Sequence, residues 1–408
     1  MGFDSFCASV IGAGHVRKNI PCEDFGMKYE TEGAKIFALG DGHGDANCFR
    51  SCKGSEFACR CAVQKMSEFA QNISTSFEDV DQFERQVYFL IGDIVAAWKE
   101  AVQKDVGEEP FTDTELNSAP NLSDEFRSGK AVERAYGTTL IAGLLTEQYL
   151  LLIQQGDGHC DVFDADGKVT QPIPWDACCI GNATTSLCDS DATERFRYTF
   201  IDIRANSIVA CIAGTDGVED SFPTSMDKTH AFYRTLILEA NTDGMEAMEK
   251  ALPDRLSDLS QYGSADDITV CGFIDVEKSL ALKDLFRQQN EMADLVAQKD
   301  LLDNKIMSIE DGGKLSQLRL AFEKANDDFE EAERSQKAIQ ESVNEKRKIF
   351  EEIRAEYEEY NGRLLSLKDK RSAIEKKLHE LVSPMDNSDA SDLQKQVTIE
   401  PNHTDSDK

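Results

Sequence analysis

The chain has 408 residues, with 76 Asp or Glu against 44 Lys or Arg, a formal net charge of −32. That surplus of acid excludes nucleic acid and anionic membrane surfaces as partners, because the field of the whole chain repels them. No apolar stretch reaches the length of a membrane span, and a hydrophobic fraction of 40% provides for a full core, in one large domain with an extension or in two to three small ones.

The first residues, Met1-Gly2-Phe3-Asp4-Ser5-Phe6, lack the basic start and long apolar run of a signal peptide, and Phe6 stands where a myristoylation pattern needs Ser or Thr. The expected location is cytoplasmic, with the twelve cysteines as reduced thiols. Phe3 to Ile11 reads as a strand. Lys35 to Leu39 reads as a second, an apolar run that stops at Asp41-Gly42-His43-Gly44. Asp45 to Ile73 and Val80 to Val106 read as helices. Cys48, Cys52 and Cys59 share one face of the first, and without a Cys-x-x-Cys or nearby His pair they read as small buried hydrophobes rather than zinc ligands. Gly107 to Lys130 is polar, carries Pro110 and Pro120, and reads as a loop or insertion. Gly137 to Leu145 and Tyr149 to Gln155 form a hairpin around Thr146-Glu147-Gln148, and Asp161 to Phe163 pairs with Val169 around Asp164-Ala165-Asp166-Gly167. Arg195 to Ile203, Ser207 to Ala213 and Ile268 to Ile274 are strands, and His230 to Ala240 and Gly244 to Leu259 are helices. Adjacent antiparallel strands with helices in pairs predict two packed antiparallel sheets with helices outside.

Acids recur at strand ends. Asp41 follows one strand, Gly156-Asp157-Gly158 another, Thr215-Asp216-Gly217 a third, and Asp266-Asp267 immediately precede Ile268-Thr269-Val270. Any single Asp-Gly reads as a turn. Together, acids at matching strand ends of antiparallel neighbours gather at one edge, where they repel unless a divalent cation joins them. Oxygen-only ligands select Mg²⁺ or Mn²⁺ over zinc.

The ordered set Glu23-Asp24, Asp41-Gly42-His43-Gly44, Gly137-Thr138-Thr139, Gly156-Asp157, Thr215-Asp216-Gly217 and Asp266-Asp267-Ile268-Thr269-Val270 resembles the metal-dependent Ser/Thr protein phosphatases of the 2C type, the PPM family. The resemblance covers about residues 1 to 275. It implies an α+β fold, a four-layer αββα sandwich of two antiparallel sheets flanked by helix pairs, with two Mg²⁺ or Mn²⁺ ions at the sheet edge. By the same resemblance Asp41 bridges both ions, the Gly42 carbonyl ligates one, Asp216 and Asp266 complete the shell, and Glu23 holds metal-bound water. Asp157 and Asp220 match positions that bind a third, weaker ion in some members. The implied reaction is in-line attack on a phosphoserine or phosphothreonine of a protein by a water bridging two cations, with His43 protonating the leaving oxygen. The chain departs from the pattern twice. Asn19 stands where many members carry a phosphate-binding Arg, leaving Arg17 and Lys18 as the nearby cations, with a solvated loop as their other reading. Asp267 stands where Asn is usual.

Composition shifts near Val276, after which Glu, Lys, Leu and Gln dominate and no proline occurs until Pro384. A 3-4 apolar spacing runs from Leu315 through Phe322, Phe350, Tyr357, Leu364 and Ile374 to Leu381, with Gln336, Lys346 and Arg371 as polar members. An earlier register runs from Leu285 through Met292 and Leu302 to Ile309. The registers break across 311–314, which predicts either two helices folded antiparallel around that turn or one interrupted rod. The expected organisation is therefore a phosphatase domain over 1–275, coiled-coil helices over 276–383 and a disordered polar tail over 384–408. The coiled coil implies partner binding, self-association or regulation. A scaffold of little activity and a small-molecule phosphatase are the alternative functions.

Overall fold

The computed structural model describes residues 2–72, 80–179, 183–222, 226–311, 314–334 and 340–382. Two compact units result, Met1–Arg287 and Gln288–Lys408. The first reaches past Val276, because Phe286 is buried in its core and its ring meets that of Phe163.

Among the described residues of that unit ten strands form two antiparallel sheets. In chain order the strands are β1 (Phe3–Val10), β2 (Phe25–Glu30), β3 (Ala34–Gly40), β4 (Leu140–Thr146), β5 (Tyr149–Gln155), β6 (His159–Asp164), β7 (Val169–Thr170), β8 (Arg197–Asp202), β9 (Ile208–Gly214) and β10 (Ile268–Asp275). One sheet has the order β1-β10-β9-β6-β7 and the other β2-β3-β4-β5-β8. The apolar runs are continuous because both faces of the central strands are buried. On β3, Phe37 and Leu39 enter the layer between the sheets, where Phe273, Cys211 and Leu152 meet them. Ile36 and Ala38 point the other way, toward the helices Ser51–Asn72 and Val80–Glu108. The second sheet packs likewise on the helices Met226–Asp243 and Met245–Tyr262, through Val209, Ile212, Tyr233, Leu236 and Leu252. The result is the expected αββα sandwich.

Three local differences have physical reasons. The first long helix starts at Ser51 rather than Asp45, because Gly42 bridges Thr138 and the Arg50 N–H donates to the Ala135 carbonyl, holding residues 42–50 against a neighbouring segment. The 107–130 stretch contains the short helices Asp113–Ser118 and Ser123–Arg127. The first opens on a capping box between Thr112 and Glu115, whose signature was present in the sequence. Finally, the structure joins Cys7 and Cys271 in a disulfide, contrary to the expectation of twelve thiols. They are directly opposed cross-strand residues of β1 and β10, with Cα atoms 4.0 Å apart. The other ten cysteines are free.

Described by itself, the second unit is helical. The helix Lys283–Asp311 runs into it, followed by Lys314–Arg334 and Gln340–Val382. Residues 312–313, within the predicted turn, and the tail beyond 382 lie outside the described residues, as do the side chains of seam positions 329–346. The contacts give the helix directions. Phe322 stacks on Phe350 and Tyr357, Arg371 pairs with Asp303, and the Gln288 side chain donates to the Leu381 carbonyl. Both earlier helices therefore run antiparallel to Gln340–Val382. Every predicted seam residue from Phe350 to Leu381 is buried or half-buried. Arg371, a charged seam residue, pairs with Asp303, as does Lys299. No helix among the described residues is long and apolar enough to cross a membrane.

Candidate metal centre

The strand ends deliver the acids. β3 ends at Gly40 and β5 at Gln155, and both run antiparallel to β4, so Asp41 and Asp157 leave the same end of one sheet. In the other sheet β9 ends at Gly214 beside the start of β10, with Gly214 opposite Val270, so Asp216 and Asp266 meet there. The four acids thus come two from each sheet, at one end of the sandwich. They line a cavity of about 880 Å³ together with Glu23, Gly42, His43, Asp220 and Asp267. Arg17 and Lys18, on the short helix Ala13–Lys18, are exposed at its mouth. All the predicted site residues are therefore in one cavity.

The backbone around Asp41 is fixed from both sides. Its N–H donates to the Thr139 hydroxyl at 3.0 Å, and its carbonyl accepts from the Thr139 N–H at 2.8 Å and the Thr138 hydroxyl at 2.9 Å. The Gly137-Thr138-Thr139 motif is thus the clamp of the Asp41 turn. Gly42 is required by close approach, since a Cβ there would lie 2.6 Å from the Glu23 carbonyl oxygen. Glu23 is held by the Ser51 hydroxyl, which donates to its carboxylate at 2.6 Å.

The acids face mainly one another: Asp24, Asp216 and Asp266 act on Asp41, and Asp157, Asp266 and Asp220 on Asp216. Among the described residues no Lys, Arg or His forms an ion pair with Asp41, Asp157, Asp216, Asp220 or Asp266. Burial pushes the Asp41 carboxyl well above its ordinary range, and Asp24 and Asp216 push it further. Burial also raises Asp216 to about 6, and raises Glu23 and Asp220. Asp24, buried behind Asp41, is raised for the same reason, although the Thr215 hydroxyl donates to it at 2.8 Å. Burial lowers His43, so its imidazole is neutral around pH 7.

An all-oxygen donor set, half-buried, fits a hard divalent ion. As they stand, no three carboxylates, imidazoles or thiols among the described residues are drawn together tightly enough to clasp one. The donor chemistry fits; a coordination geometry is not displayed.

Three residues here were missed by sequence reasoning. Asp24 was visible beside Glu23 but carried no role. His15 has no motif at all, and its proximity to Asp267 and Glu23 arises only from folding. Ser51, on the long helix, gave no signal as the partner of Glu23.

A family profile described as protein phosphatase 2C matches residues 11–257. Among curated proteins no sequence matches the chain. Solved structures similar to it include the catalytic domain of the serine/threonine protein phosphatase PstP in complex with two manganese ions, at 19% identity and TM-score 0.38, over 67% of this chain and 97% of that one. Stp1 from Staphylococcus aureus aligns at 15% identity and TM-score 0.42, over 67% and 94%. RsbX in complex with magnesium aligns at 11% identity and TM-score 0.35, over 67% and 94%.

Proposed function

The chain belongs to the protein phosphatase 2C family, the metal-dependent protein serine/threonine phosphatases, and from that premise we propose that it hydrolyses phosphoserine and phosphothreonine on proteins at the carboxylate-lined cavity. The observation that carries the reading is the convergence of Asp41, Asp157, Asp216 and Asp266 from two sheets in one cavity. Asp41, the Gly42 carbonyl, Asp216 and Asp266 would hold two Mg²⁺ or Mn²⁺ ions, Glu23 would orient water beside them, and Asp157 and Asp220 would take a third. When bound, such ions acidify water and offset the charge of a phosphoryl group.

The chain's own groups do the rest. Arg17, with Lys18, meets the substrate phosphate at the cavity mouth, where a guanidinium offers two parallel donors. His43, whose backbone N–H donates to the Gly137 carbonyl, delivers the proton from its imidazole to the departing serine or threonine oxygen. Its imidazole is neutral in the free enzyme, and an entering phosphate dianion raises its pKa, so proton uptake accompanies substrate binding. The helical unit serves as an arm for a partner or a second copy. Support comes from its exposed apolar side chains, among them Leu320 at 67% and Leu365 at 61%. A cytoplasmic place of action belongs to the same proposal; ten of the twelve cysteines are free, while Cys7 and Cys271 are joined.

The test is turnover of p-nitrophenyl phosphate and of a phosphothreonine peptide with Mn²⁺, by the wild type and by Asp216→Ala. Mn²⁺-dependent turnover of both, lost in the variant, is expected. Absence of Mn²⁺-dependent turnover in the wild type sinks the reading, and turnover of the aryl ester alone sinks the protein-substrate part.

A further inference from the structure

Asp267, which stands where the family has Asn, is 3% exposed and takes three donors. The Gly12 N–H reaches its Oδ1 at 2.5 Å, while the Glu23 N–H at 2.6 Å and His15 Nδ1 at 2.9 Å reach its Oδ2. The other ring nitrogen of His15 faces the Glu23 carboxylate at 3.7 Å. The imidazole therefore spans two acids, one on each side. An Asn at 267 has a single acceptor oxygen, and its NH₂ would confront one of these N–H groups. The carboxylate and the imidazole are thus a matched pair.

From this we propose that His15 is a positioning residue, and that the His15–Asp267 brace ties the cationic helix Ala13–Lys18 to the acids of the metal centre. The covalent neighbours give the brace its reach. Asp267 is bonded to Asp266 on one side, its Oδ2 anchors the Glu23 backbone, and His15 lies two residues before Arg17. Gly12 lets the segments touch, since a Cβ there would lie 2.3 Å from the Asp266 carbonyl carbon. The Gly14 N–H donates to the Ala265 carbonyl at 2.7 Å and adds a backbone tie beside the brace. One imidazole thereby sets the phosphate-facing cations in register with Asp266 and Glu23. Since a carboxylate only accepts, the bond to Asp267 requires a proton on Nδ1 of the ring.

The inference rests on the phosphatase reading for its consequence in turnover, but the brace has its own signal. In metal-free protein, long-range ¹H–¹⁵N spectra of the His15 ring are expected to show Nδ1 protonated, and Asp267→Asn to change that pattern. An Nε2–H tautomer in the wild type overturns the brace, whatever the enzyme does. For the consequence, His15→Ala is expected to weaken Mn²⁺ binding by about tenfold in calorimetry, the usual scale for an outer partner of metal ligands. It is also expected to raise KM for a phosphothreonine peptide, with kcat at saturating Mn²⁺ changing less than about threefold. His15→Asn, whose amide replaces Nδ1–H, is expected to restore both, and it keeps the test decisive if the alanine variant folds poorly. In an Asp267→Asn background His15→Ala should cost little, so the two changes are non-additive. Additive effects, or wild-type Mn²⁺ affinity and KM in His15→Ala, overturn the positioning role. A wild type that shows the Nδ1–H tautomer yet binds no Mn²⁺ overturns the phosphatase reading and the role in it, and leaves the brace standing.

Discussion

Replacing Asp216 by Asn is expected to make the metal-free protein more stable while destroying its function. The Asp216 carboxyl has an ordinary value of 3.8 and sits at about 6 in the folded chain, chiefly through burial and then through its acidic neighbours. The gap corresponds to roughly 3 kcal/mol. Its sign follows from which state binds the proton more tightly, and here that is the folded state. The favourable contribution is fully present below the ordinary value and is lost as pH rises through about 6. At pH ~8 the folded wild type carries a half-buried charge with no cation, and Asp216→Asn removes it. Urea unfolding in a chelator should therefore show the variant more stable by up to roughly 3 kcal/mol at pH ~8 and nearly equal at pH ~4. Excess Mn²⁺ should reverse the order, because binding to the folded state stabilises only a protein that keeps the ligand. A variant less stable than wild type at the higher pH, or a difference independent of pH, refutes the account of the acid cluster.

Three further outcomes follow from named contacts. His43→Asn should lower kcat for a phosphothreonine peptide by about 10²- to 10⁴-fold but hardly affect p-nitrophenyl phosphate, whose leaving group needs no proton; equal losses on both would remove His43 as the acid. Arg17→Ala should raise KM for the peptide by roughly tenfold or more, the scale of one charge-assisted hydrogen bond, while calorimetry finds Mn²⁺ affinity unchanged. Arg50 is 5% exposed and donates to Glu115, Asp105 and Tyr136, so Arg50→Ala should lower stability in urea unfolding by about 3 to 5 kcal/mol, because it leaves acids without their partner.

Much of the architecture was legible because strands buried on both faces leave long apolar runs. β5 and β9 were read almost to the residue, and the acids that end them were visible as interruptions. β2 was missed because Phe25–Glu30 is half-buried at best and its last three residues are exposed, so its sequence carries no run. The helical unit shows the limit of periodicity. Its seam positions from Phe350 to Leu381 are buried or half-buried, but a heptad records which side of a helix is covered and not by which segment.

The candidate site divides along the same line. Local order in the chain determined which acids would sit at strand ends, that His43 would stand beside Asp41, and that oxygen ligands would dominate. Only the tertiary structure decided that two of those acids come from each sheet, that Thr138 and Thr139 clamp the Asp41 turn, and that His15 lies between Asp267 and Glu23. The reason is distance along the chain. A strand and its terminating turn are set by neighbouring residues, whereas His15 and Asp267 are 252 positions apart and meet only because β1 and β10 pair in register from Phe3 and Asp275 to Val10 and Ile268. That register brings Gly12 and His15 against Asp267.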